Sequence, residues 1–391
     1  MKYNTYTMAD VLEVIIDYRG KTPKKSEKGI PTLSAKTIKN GYIDYSKCYY
    51  ISSDEYKKFM VRGFPKKGDV LLTTEAPLGE VAKLDRDDVA IAQRLLTLRG
   101  KKGILDNDYL LYFLQSPNGQ YLLKSRESGT TVTGIKQAEF RKIQLEIPEF
   151  AIQKKISSVL CILDDKIKLN NQINNNLEQQ AQAIYKYFFI DNKYEISSEC
   201  KLGDVCECLL GGTPSRAKPE YWNGNISWIN SGEVNRFRIT SPSEYITEEG
   251  LNRSTTKLLP AKTIVLAITG ATLGQVSILE IDSCANQSVV GIVPNDRLPY
   301  EFIYPFINST IKELVSHQTG GAQQHINKQN IEGLSLLFPT QEVIQKFRSI
   351  VAPIYETIAN NCFENKRLNA LRDVLLPKLM SGELDVSDIE L

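Results

Sequence analysis

The sequence contains very little histidine and no cysteine pattern suited to a metal. Its two histidines, His317 and His325, argue against a histidine-based catalytic triad or metal centre. Three of the seven cysteines, at positions 200, 206 and 208, lie close together, but no second Cys or His pair follows at zinc spacing. We therefore predict no metal site and interpret these cysteines as small buried residues.

Long apolar runs are also missing. No stretch approaches the roughly 20 consecutive apolar residues that a membrane helix needs. The first ten residues are polar and contain no apolar core of signal-peptide length. These absences predict a cytoplasmic protein, in which the cysteines are reduced.

Motifs for catalysis and cofactor binding are lacking as well. Residues 20–22 (Gly-Lys-Thr) resemble the end of a phosphate-binding loop, but position 15 is isoleucine where that loop needs glycine. The chain has no Pro-Pro pair, so it lacks the Asp-Pro-Pro-Tyr type of tetrapeptide expected of amino-methyltransferases that act on DNA bases. No glycine-rich cofactor fingerprint follows a strand. We predict that the chain has no catalytic residue and no cofactor site.

What is present is the composition of a globular protein with substantial cores. The 391 residues are 42% hydrophobic and 24% charged, which suits two to four domains. The net charge is only +2, so any affinity for nucleic acid would depend on local basic patches. Two such patches lie at residues 21–28 and 57–67, although each alone is also typical of a solvated lysine face.

The most informative feature is an internal repeat at an offset of 191 to 195 residues. A chance match would not keep this register through six landmarks, and the period is far longer than that of a solenoid. The repeat therefore indicates a duplicated domain. The paired landmarks are residues 20–23 (Gly-Lys-Thr-Pro) and 211–214 (Gly-Gly-Thr-Pro), 64–73 and 259–267, 77–82 and 271–277, 92–93 and 286–287, 134–136 and 325–327, and the proline-terminated strands 143–148 and 334–339.

A long amphipathic helix is predicted after each copy, because apolar residues recur at steps of three and four from Ile152 to Phe188 and from Val343 to Leu379. Two such helices bury their stripes best against each other, as an antiparallel coiled coil. Asparagines at 170–176 and 360–361 either fix the register of that seam or mark a frayed stretch. Pro353 either kinks the second helix or marks its start. The residues predicted to pair are Ile156, Leu163, Ile167, Leu177, Ile184, Phe347, Ile354, Ile358, Leu368 and Leu375.

The predicted fold class is therefore α+β, with two similar mixed α/β domains separated by two long helices. Strand patterns near proline and glycine fill each copy, and short helices are expected near residues 108–114 and 299–315. The predicted boundaries are 1–150 for the first domain, 151–198 for a central helical region, 199–340 for the second domain and 341–391 for a C-terminal helical region.

Several segments resemble one known family. Residues 371–384 (Leu-Arg-Asp-Val-Leu-Leu-Pro-Lys-Leu-Met-Ser-Gly-Glu-Leu) closely resemble the C-terminal signature of type I restriction–modification specificity subunits. Residues 182–189 resemble its counterpart in their central conserved region, and residues 211–214 with 221–222 and 226–228 resemble the opening of their target-recognition domains. The segments around 148–156 and 339–346 resemble the junctions between domain and helix. The first copy departs from this pattern because it lacks the Trp222 and Trp228 pair, so we expect its loops to differ in shape.

The resemblance implies a non-catalytic subunit. Each target-recognition domain would read one half of a bipartite, asymmetric site in double-stranded DNA, while the helices set the spacing and dock two methyltransferase (modification) subunits. Motor–nuclease (restriction) subunits would then join. S-adenosylmethionine, ATP and Mg would belong to those partner subunits, and no membrane would be involved.

Direct reading of bases requires amide, hydroxyl and basic side chains at base edges. We expect such residues in the polar loops of both copies, although each is also a candidate turn or cap residue. The predicted DNA-binding residues are Lys21, Thr22, Lys36, Thr73, Thr74, Gln93, Arg94, Thr130, Thr131, Thr133, Lys136, Thr213, Ser215, Arg216, Asn230, Ser231, Thr269, Asn286, Gln287, Gln323, Gln324, His325 and Asn327.

Other interpretations remain open at this point. The main alternative is a stand-alone, pseudo-dimeric DNA-binding regulator that works without a methyltransferase. A silent or recombining cassette with an intact fold is a further possibility. A fused modification enzyme is disfavoured, because the tetrapeptide that it would need is missing.

Overall fold

The structure, a computed structural model, describes residues 2–39, 41–129, 133–191, 196–316 and 325–389. Its contacts divide the chain into two compact units. Unit 1 consists of Met1–Lys166 and Leu368–Leu391, and unit 2 consists of Ile167–Arg367. Within the described ranges, no helix has both the length and the apolarity needed to cross a bilayer.

Unit 1 contains eleven strands and five complete helices within its described residues, together with parts of two long helices. The strands are β1 (Tyr3–Thr7), β2 (Leu12–Asp17), β3 (Ile30–Leu33), β4 (Ile38–Lys39), β5 (Tyr42–Ile43), β6 (Tyr49–Ile51), β7 (Val70–Thr74), β8 (Leu78–Lys83), β9 (Ala90–Ile91), β10 (Leu95–Gly100) and β11 (Gln144–Pro148). The helices are α1 (Met8–Val11), α2 (Ser53–Phe59), α3 (Asn107–Gln115), α4 (Pro117–Lys124), α5 (Gln137–Arg141) and the long α6 (Phe150–Lys186).

The centre of unit 1 is an antiparallel sheet in the order β2-β10-β7-β8. Its strand β7 is buried throughout. Because successive side chains of a strand point to opposite faces, Val70 and Leu72 join the core that contains α3, whereas Leu71 joins a second core with Leu33. The second core lies under the smaller sheet β6-β3-β9. The sheet is therefore packed on both faces.

Unit 2 repeats this plan. The strands are β12 (Ile196–Lys201), β13 (Glu207–Leu210), β14 (Trp222–Ile229), β15 (Glu244–Ile246), β16 (Leu258–Leu259), β17 (Ile264–Ala267), β18 (Val276–Ile278), β19 (Ser283–Ala285), β20 (Val289–Val293) and β21 (Ser335–Pro339). The helices are α7 (Leu202–Val205), α8 (Glu248–Asn252), α9 (Tyr300–Ser316), α10 (Lys328–Glu332) and the long α11 (Gln341–Ser381).

The central sheet of unit 2 has the order β13-β20-β17-β18, which matches that of unit 1 strand for strand. Ile264 and Leu266 of β17 face the helical core, while Val265 faces the second sheet, β15-β14-β19-β16. Strands β12 and β21 pair as β1 and β11 do. The predicted duplication and the predicted helices near 108–114 and 299–315 are confirmed by α3 and α9.

The long helices pair within each unit. In unit 1, Ile156 of α6 shares a core with Leu379 of α11. In unit 2, the rings of Tyr185 on α6 and Phe347 on α11 lie 6.1 Å apart between centroids, and Asn361 Nδ2 donates to Asn174 Oδ1 at 2.8 Å. Positions on α11 fall as positions on α6 rise, so the predicted antiparallel pairing is confirmed within each unit.

Two of the asparagines lie buried in the helix seam. Asn170 and Asn174 are each 1% exposed, and Asn170 Nδ2 donates to Asn365 Oδ1 at 2.9 Å. Because α6 is continuous through this stretch, the register interpretation fits the structure and the frayed one does not. Helix α11 begins at Gln341, so Pro353 lies inside the helix and does not mark its start.

Candidate nucleic-acid interface

The strand register of unit 1 brings several polar loops to one edge of the central sheet. Asp17 at the end of β2 pairs with Leu96, Thr73 near the end of β7 pairs with Leu95, and Thr74 pairs with Leu78 at the start of β8. The chain therefore leaves or enters all four strands at the same edge. We call the loops there loop edge 1; they are residues 18–23, 34–37, 75–77, 92–94 and 133–136.

Hydrogen bonds hold these loops together. The Ile135 backbone N donates to Thr74 O at 2.9 Å, and Arg19 Nη2 donates to Ile135 O at 2.7 Å. The Ala92 backbone N donates to Leu33 O at 2.8 Å, which ties the second sheet to the same edge. Loops that are far apart in sequence thus form one surface.

Unit 2 forms the same kind of edge. Leu210 at the end of β13 pairs with Val290, and Ala267 at the end of β17 pairs with Val289. The Ile326 backbone N donates to Ile268 O at 3.0 Å, as Ile135 does to Thr74 in unit 1. We call these loops loop edge 2; they are residues 211–218, 230–236, 268–275, 286–288 and 325–327.

Most of the predicted DNA-binding residues lie on these two edges. At loop edge 1, Gln93 is half-buried and the other described candidates are exposed: Lys21, Thr22, Lys36, Arg94, Thr133 and Lys136. At loop edge 2 the exposed candidates are Ser215, Arg216, Gln287, His325 and Asn327. The half-buried ones there are Thr213, Asn230, Ser231, Thr269 and Asn286. Their contact with DNA stays a prediction.

Two predicted residues do not reach the surface. Thr73 and Thr74 are 0% and 1% exposed, and Thr73 Oγ1 accepts a hydrogen bond from the Glu80 backbone N at 2.9 Å. The prediction that they contact DNA does not fit this placement, because β7 is covered on both faces. Four further candidates, Thr130, Thr131, Gln323 and Gln324, lie outside the described residues.

Some candidates at loop edge 2 cap local turns. Asn230 Oδ1 accepts from the Gly232 backbone N at 2.7 Å, and Asn327 Oδ1 accepts from the Asn330 backbone N at 2.8 Å. Asn286 Oδ1 accepts from the Ser288 backbone N at 3.1 Å. In these residues the side-chain oxygen is engaged in shaping the loop, and the amide nitrogen of Asn230 also donates to Ser243 Oγ at 3.4 Å.

Arg216 is held in place by two tryptophans and a carboxylate. Its guanidinium lies 3.5 Å from the ring centroid of Trp222 and 5.3 Å from that of Trp228. It also forms a bidentate pair with Glu244, which lowers the pKa of that carboxyl mainly through the hydrogen bond. Because Glu244 and the rings already engage the guanidinium, Arg216 is placed to shape the loop at residues 211–218.

The first copy has a simpler arrangement at the matching place. Lys25 Nζ lies 4.9 Å from the ring centroid of Tyr49, where unit 2 has Arg216 and Glu244. Arg94 of loop edge 1 has a φ of +73°, which is rare for a residue other than glycine, and its side chain pairs with Glu75 at 2.7 Å. The different loop shape expected of the first copy is therefore observed.

A buried arginine that the sequence did not reveal joins the second recognition domain to helix α6. Arg238 is 5% exposed, and its Nη2 donates to Glu178 Oε2 at 2.8 Å. Its Nε lies 3.8 Å from Glu280 Oε1, and its guanidinium lies 4.8 Å from the Tyr304 ring centroid. Burial acts to lower the pKa of Arg238, but Tyr304 and Glu178 raise it more, so the guanidinium stays charged.

Unit 1 uses a smaller polar contact at the matching position. The hydroxyl of Tyr112 on α3 donates to Asp164 Oδ2 at 2.8 Å, and Arg372 Nη1 on α11 donates to Asp164 Oδ1 at 2.9 Å. The side chains of Arg372 and Asp164 are 27% and 35% exposed. Burial, with Asp164 as the next cause, raises the pKa of Tyr112 above its ordinary range.

The residues predicted for helix pairing are all at least partly buried. Ile156, Phe347 and Ile358 are 0% exposed. The half-buried ones are Leu163, Ile167, Leu177, Ile184, Ile354, Leu368 and Leu375. The role of Glu178 was not predicted from the sequence, although its place in the helical seam beside Leu177 was an available indication.

Two of the three clustered cysteines are buried thiols, as predicted, whereas Cys200 is half-buried. Cys206 and Cys208 are buried, and burial raises the pKa of each to about 12. In the part of the chain that the structure describes, no three His, Cys, Asp or Glu side chains are grouped so that they could hold a metal ion.

Comparison with known proteins gives a consistent result. The family model described as "Type I restriction modification DNA specificity domain" matches the chain twice, at residues 1–179 and 195–370. These two matches cover the central sheets of both units and most of both long helices.

Individual relatives agree over most of their length. The Type I restriction enzyme MjaIX specificity subunit of Methanocaldococcus jannaschii is 27% identical and covers 95% of this chain and 91% of its own. The HindI specificity subunit of Haemophilus influenzae is 26% identical and covers 82% and 87%. The crystal structure of an S subunit from M. genitalium aligns with a TM-score of 0.63 at 14% identity, covering 97% and 96%, which shows a shared fold.

Proposed function

The chain belongs to the type I restriction–modification DNA specificity family, and from that membership we propose that it is the subunit that selects the DNA site. It carries no catalytic role of its own. Loop edge 1 would contact one half of a bipartite site and loop edge 2 the other half. Because the two edges carry different side chains, the two halves would differ in sequence.

One observation carries this proposal: the family match and the fold are both duplicated. The two matches, 1–179 and 195–370, each contain a central sheet of the same strand order with its polar loops at the same edge. Two such surfaces in one chain suit a site with two separate halves. Phosphate contacts from basic side chains would position each edge, and amide or hydroxyl groups would select bases.

The paired helices would hold this arrangement and dock the partner subunits. We propose two methyltransferase (modification) subunits on the helices, with motor–nuclease (restriction) subunits added to them, in the cytoplasm. S-adenosylmethionine, ATP and Mg would be bound by those partners and not by this chain. The half-exposed apolar side chains along α6 and α11 support a further helical contact.

The test is to express this chain with its modification partner and to map methyl-adenine in the host DNA by sequencing. We expect one asymmetric motif with two short specified parts separated by a fixed unspecified gap. A variant whose loop edge 2 is replaced by that of a relative should change one half of the motif only. A continuous motif, or one unaffected by the replacement, would contradict the proposal.

Co-purification separates this function from that of a stand-alone regulator. The specificity subunit should be recovered in a stable complex with the modification chains. A regulator would bind its site with full affinity when purified alone.

A further inference from the structure

The first basic patch and the first part of the second, residues 57–62, form one surface in the structure. The Lys24 backbone N donates to Glu55 Oε1 at 2.9 Å, and Tyr18 stacks on Phe59 at 4.8 Å between centroids. Arg62 Nη1 donates to Asp17 O at 2.7 Å. Residues 18–28 and helix α2 are thus packed side by side, although some 30 residues separate them in the sequence. We call their exposed lysines the basic flank: Lys21, Lys24, Lys25, Lys28, Lys57 and Lys58.

The charge of this surface is not neutralised locally. Residues 18–28 and 53–62 contain eight Lys and Arg but only three Asp and Glu. Within the described part of the chain, none of the six lysines of the basic flank forms an ion pair with a carboxylate. Their side chains are exposed, so the ammonium groups are available to a partner.

The second copy lacks this surface. Its matching segments, 209–219 and 248–257, contain four Lys and Arg against two Asp and Glu. Most of those cations are engaged: Arg216 with Glu244, Arg253 with Glu249 at 3.3 Å, and Lys218 with the Tyr221 hydroxyl at 2.9 Å. The difference extends to the whole domain, since residues 1–150 hold 25 Lys and Arg against 19 Asp and Glu, while residues 199–340 hold 11 against 14.

The basic flank adjoins loop edge 1 and shares Lys21 with it. Tyr18 follows β2 directly, and its hydroxyl accepts from the Arg62 backbone N at 2.8 Å, so the segment after α2 is fixed to the end of that strand. A duplex lying on loop edge 1 and continuing past it would bring its phosphates toward these lysines. Unpaired lysines beside a DNA-reading edge match the regular negative charge of a duplex.

Building on the proposed function, we propose that the basic flank binds the sugar–phosphate backbone of duplex DNA outside the first half-site. The contact is independent of sequence, and loop edge 2 has no equivalent. The first copy therefore supplies most of the electrostatic attraction to DNA. The stretch of DNA that the protein protects extends further beyond the first half-site than beyond the second.

The test compares two triple variants of the full chain, each of which removes three exposed lysines. K24Q/K57Q/K58Q changes the basic flank. K66Q/K67Q/K102Q changes lysines at the start of β7 and after β10, which is the opposite edge of the central sheet. Binding to a short duplex of arbitrary sequence is measured across a salt series. A thermal melt of each variant shows that the fold is retained.

We expect the flank variant to bind at least about tenfold more weakly at low salt, and its plot of log affinity against log salt to be shallower by up to about 3 units, since each lost phosphate contact removes about 0.9. The control variant should keep the wild-type slope. Equal slopes for all three proteins, or an equal loss in both variants, would overturn the inference.

A second arm separates this inference from the proposed function. On a duplex that carries the mapped methylation site, trimming the DNA beyond the first half-site should weaken binding by the wild type but not by the flank variant, and trimming beyond the second half-site should weaken neither. The flank variant should methylate the same motif as the wild type. A wild type that methylates no bipartite motif would refute the proposed function, while the salt series would still decide the role of the basic flank.

Discussion

The two copies have the same sheet order but differ in how they are joined to the helices. In unit 2, Arg238 enters from the recognition domain and is enclosed by Glu178, Glu280 and two tyrosines. In unit 1, the matching place holds the partly exposed pair of Asp164 and Arg372, both of which belong to the long helices. The second domain thus contacts the helices through a buried charged residue of its own. At the matching place in unit 1, both charged residues come from the helices.

The difference shows how a duplicated fold can diverge at one contact. A buried arginine must be neutralised from several sides, because an unpaired charge in an apolar interior is costly. Once Arg238 is enclosed, the buried carboxylates beside it depend on its positive charge for neutralisation. A half-exposed pair imposes no such dependence, because water can replace either partner.

The largest effect is expected from Arg238→Ala. It leaves the buried Glu178 without its cation and Glu280 with Lys262 alone, so unit 2 should lose about 3–5 kcal/mol of stability. Hydrogen exchange of peptides from α9 and β17 reports this loss locally. Arg253→Ala is the matched control, because Arg253 and its partner Glu249 are 67% and 48% exposed, and we expect it to cost less than about 1 kcal/mol. Equal losses of stability from the two substitutions would mean that the buried network around Arg238 does not stabilise unit 2.

A smaller effect is expected from Glu301→Gln. Burial raises the pKa of Glu301 above its ordinary 4.5, so its neutral form favours the folded state. The stability that the neutral Glu301 carboxyl contributes is fully present below its pKa in the unfolded state. It is lost as the pH rises through its pKa in the folded state. The Tm of the wild type should therefore fall relative to that of the variant as the pH rises above about 4.5. Glu342 is exposed, so Glu342→Gln should leave the pH dependence of the Tm unchanged. Parallel curves of Tm against pH for the wild type and Glu301→Gln would contradict this account.

The smallest effect is expected from Asp164→Asn in unit 1. The ion pair with Arg372 is partly exposed, so its loss should cost about 0.2–1 kcal/mol, and an asparagine oxygen can still accept from Tyr112. Denaturant unfolding of this variant beside Arg238→Ala measures the contrast between the units directly. A loss in Asp164→Asn as large as that in Arg238→Ala would remove the proposed difference.

The fold could be predicted because its determinants are local and repeated. The glycine–threonine–proline turns and the buried strand at Val70–Thr74 recur with their register intact, and the apolar steps of α6 and α11 extend over many turns. Each pattern depends on a few neighbouring residues. The antiparallel helix pairing then followed from two stripes that had to be buried.

The candidate site was less predictable. Thr73 and Thr74 look like polar loop residues in sequence, but the second sheet covers the strand that carries them. Arg238 is one of many arginines, and only its distance to Glu178, 60 positions away, distinguishes it. The meeting of the two lysine patches depends in the same way on contacts between segments that are remote in the chain.

The composition of unit 1 from Met1–Lys166 and Leu368–Leu391 has a consequence for biosynthesis. Leu379 and Val386 are fully buried in its core, so this unit stays incomplete on the ribosome while unit 2, residues 167–367, is translated in full. At about 5–20 residues per second, the wait lasts on the order of 10 to 40 seconds. The domain translated first is therefore the one that finishes folding last, and a frameshift after residue 367 damages the amino-terminal half of the protein.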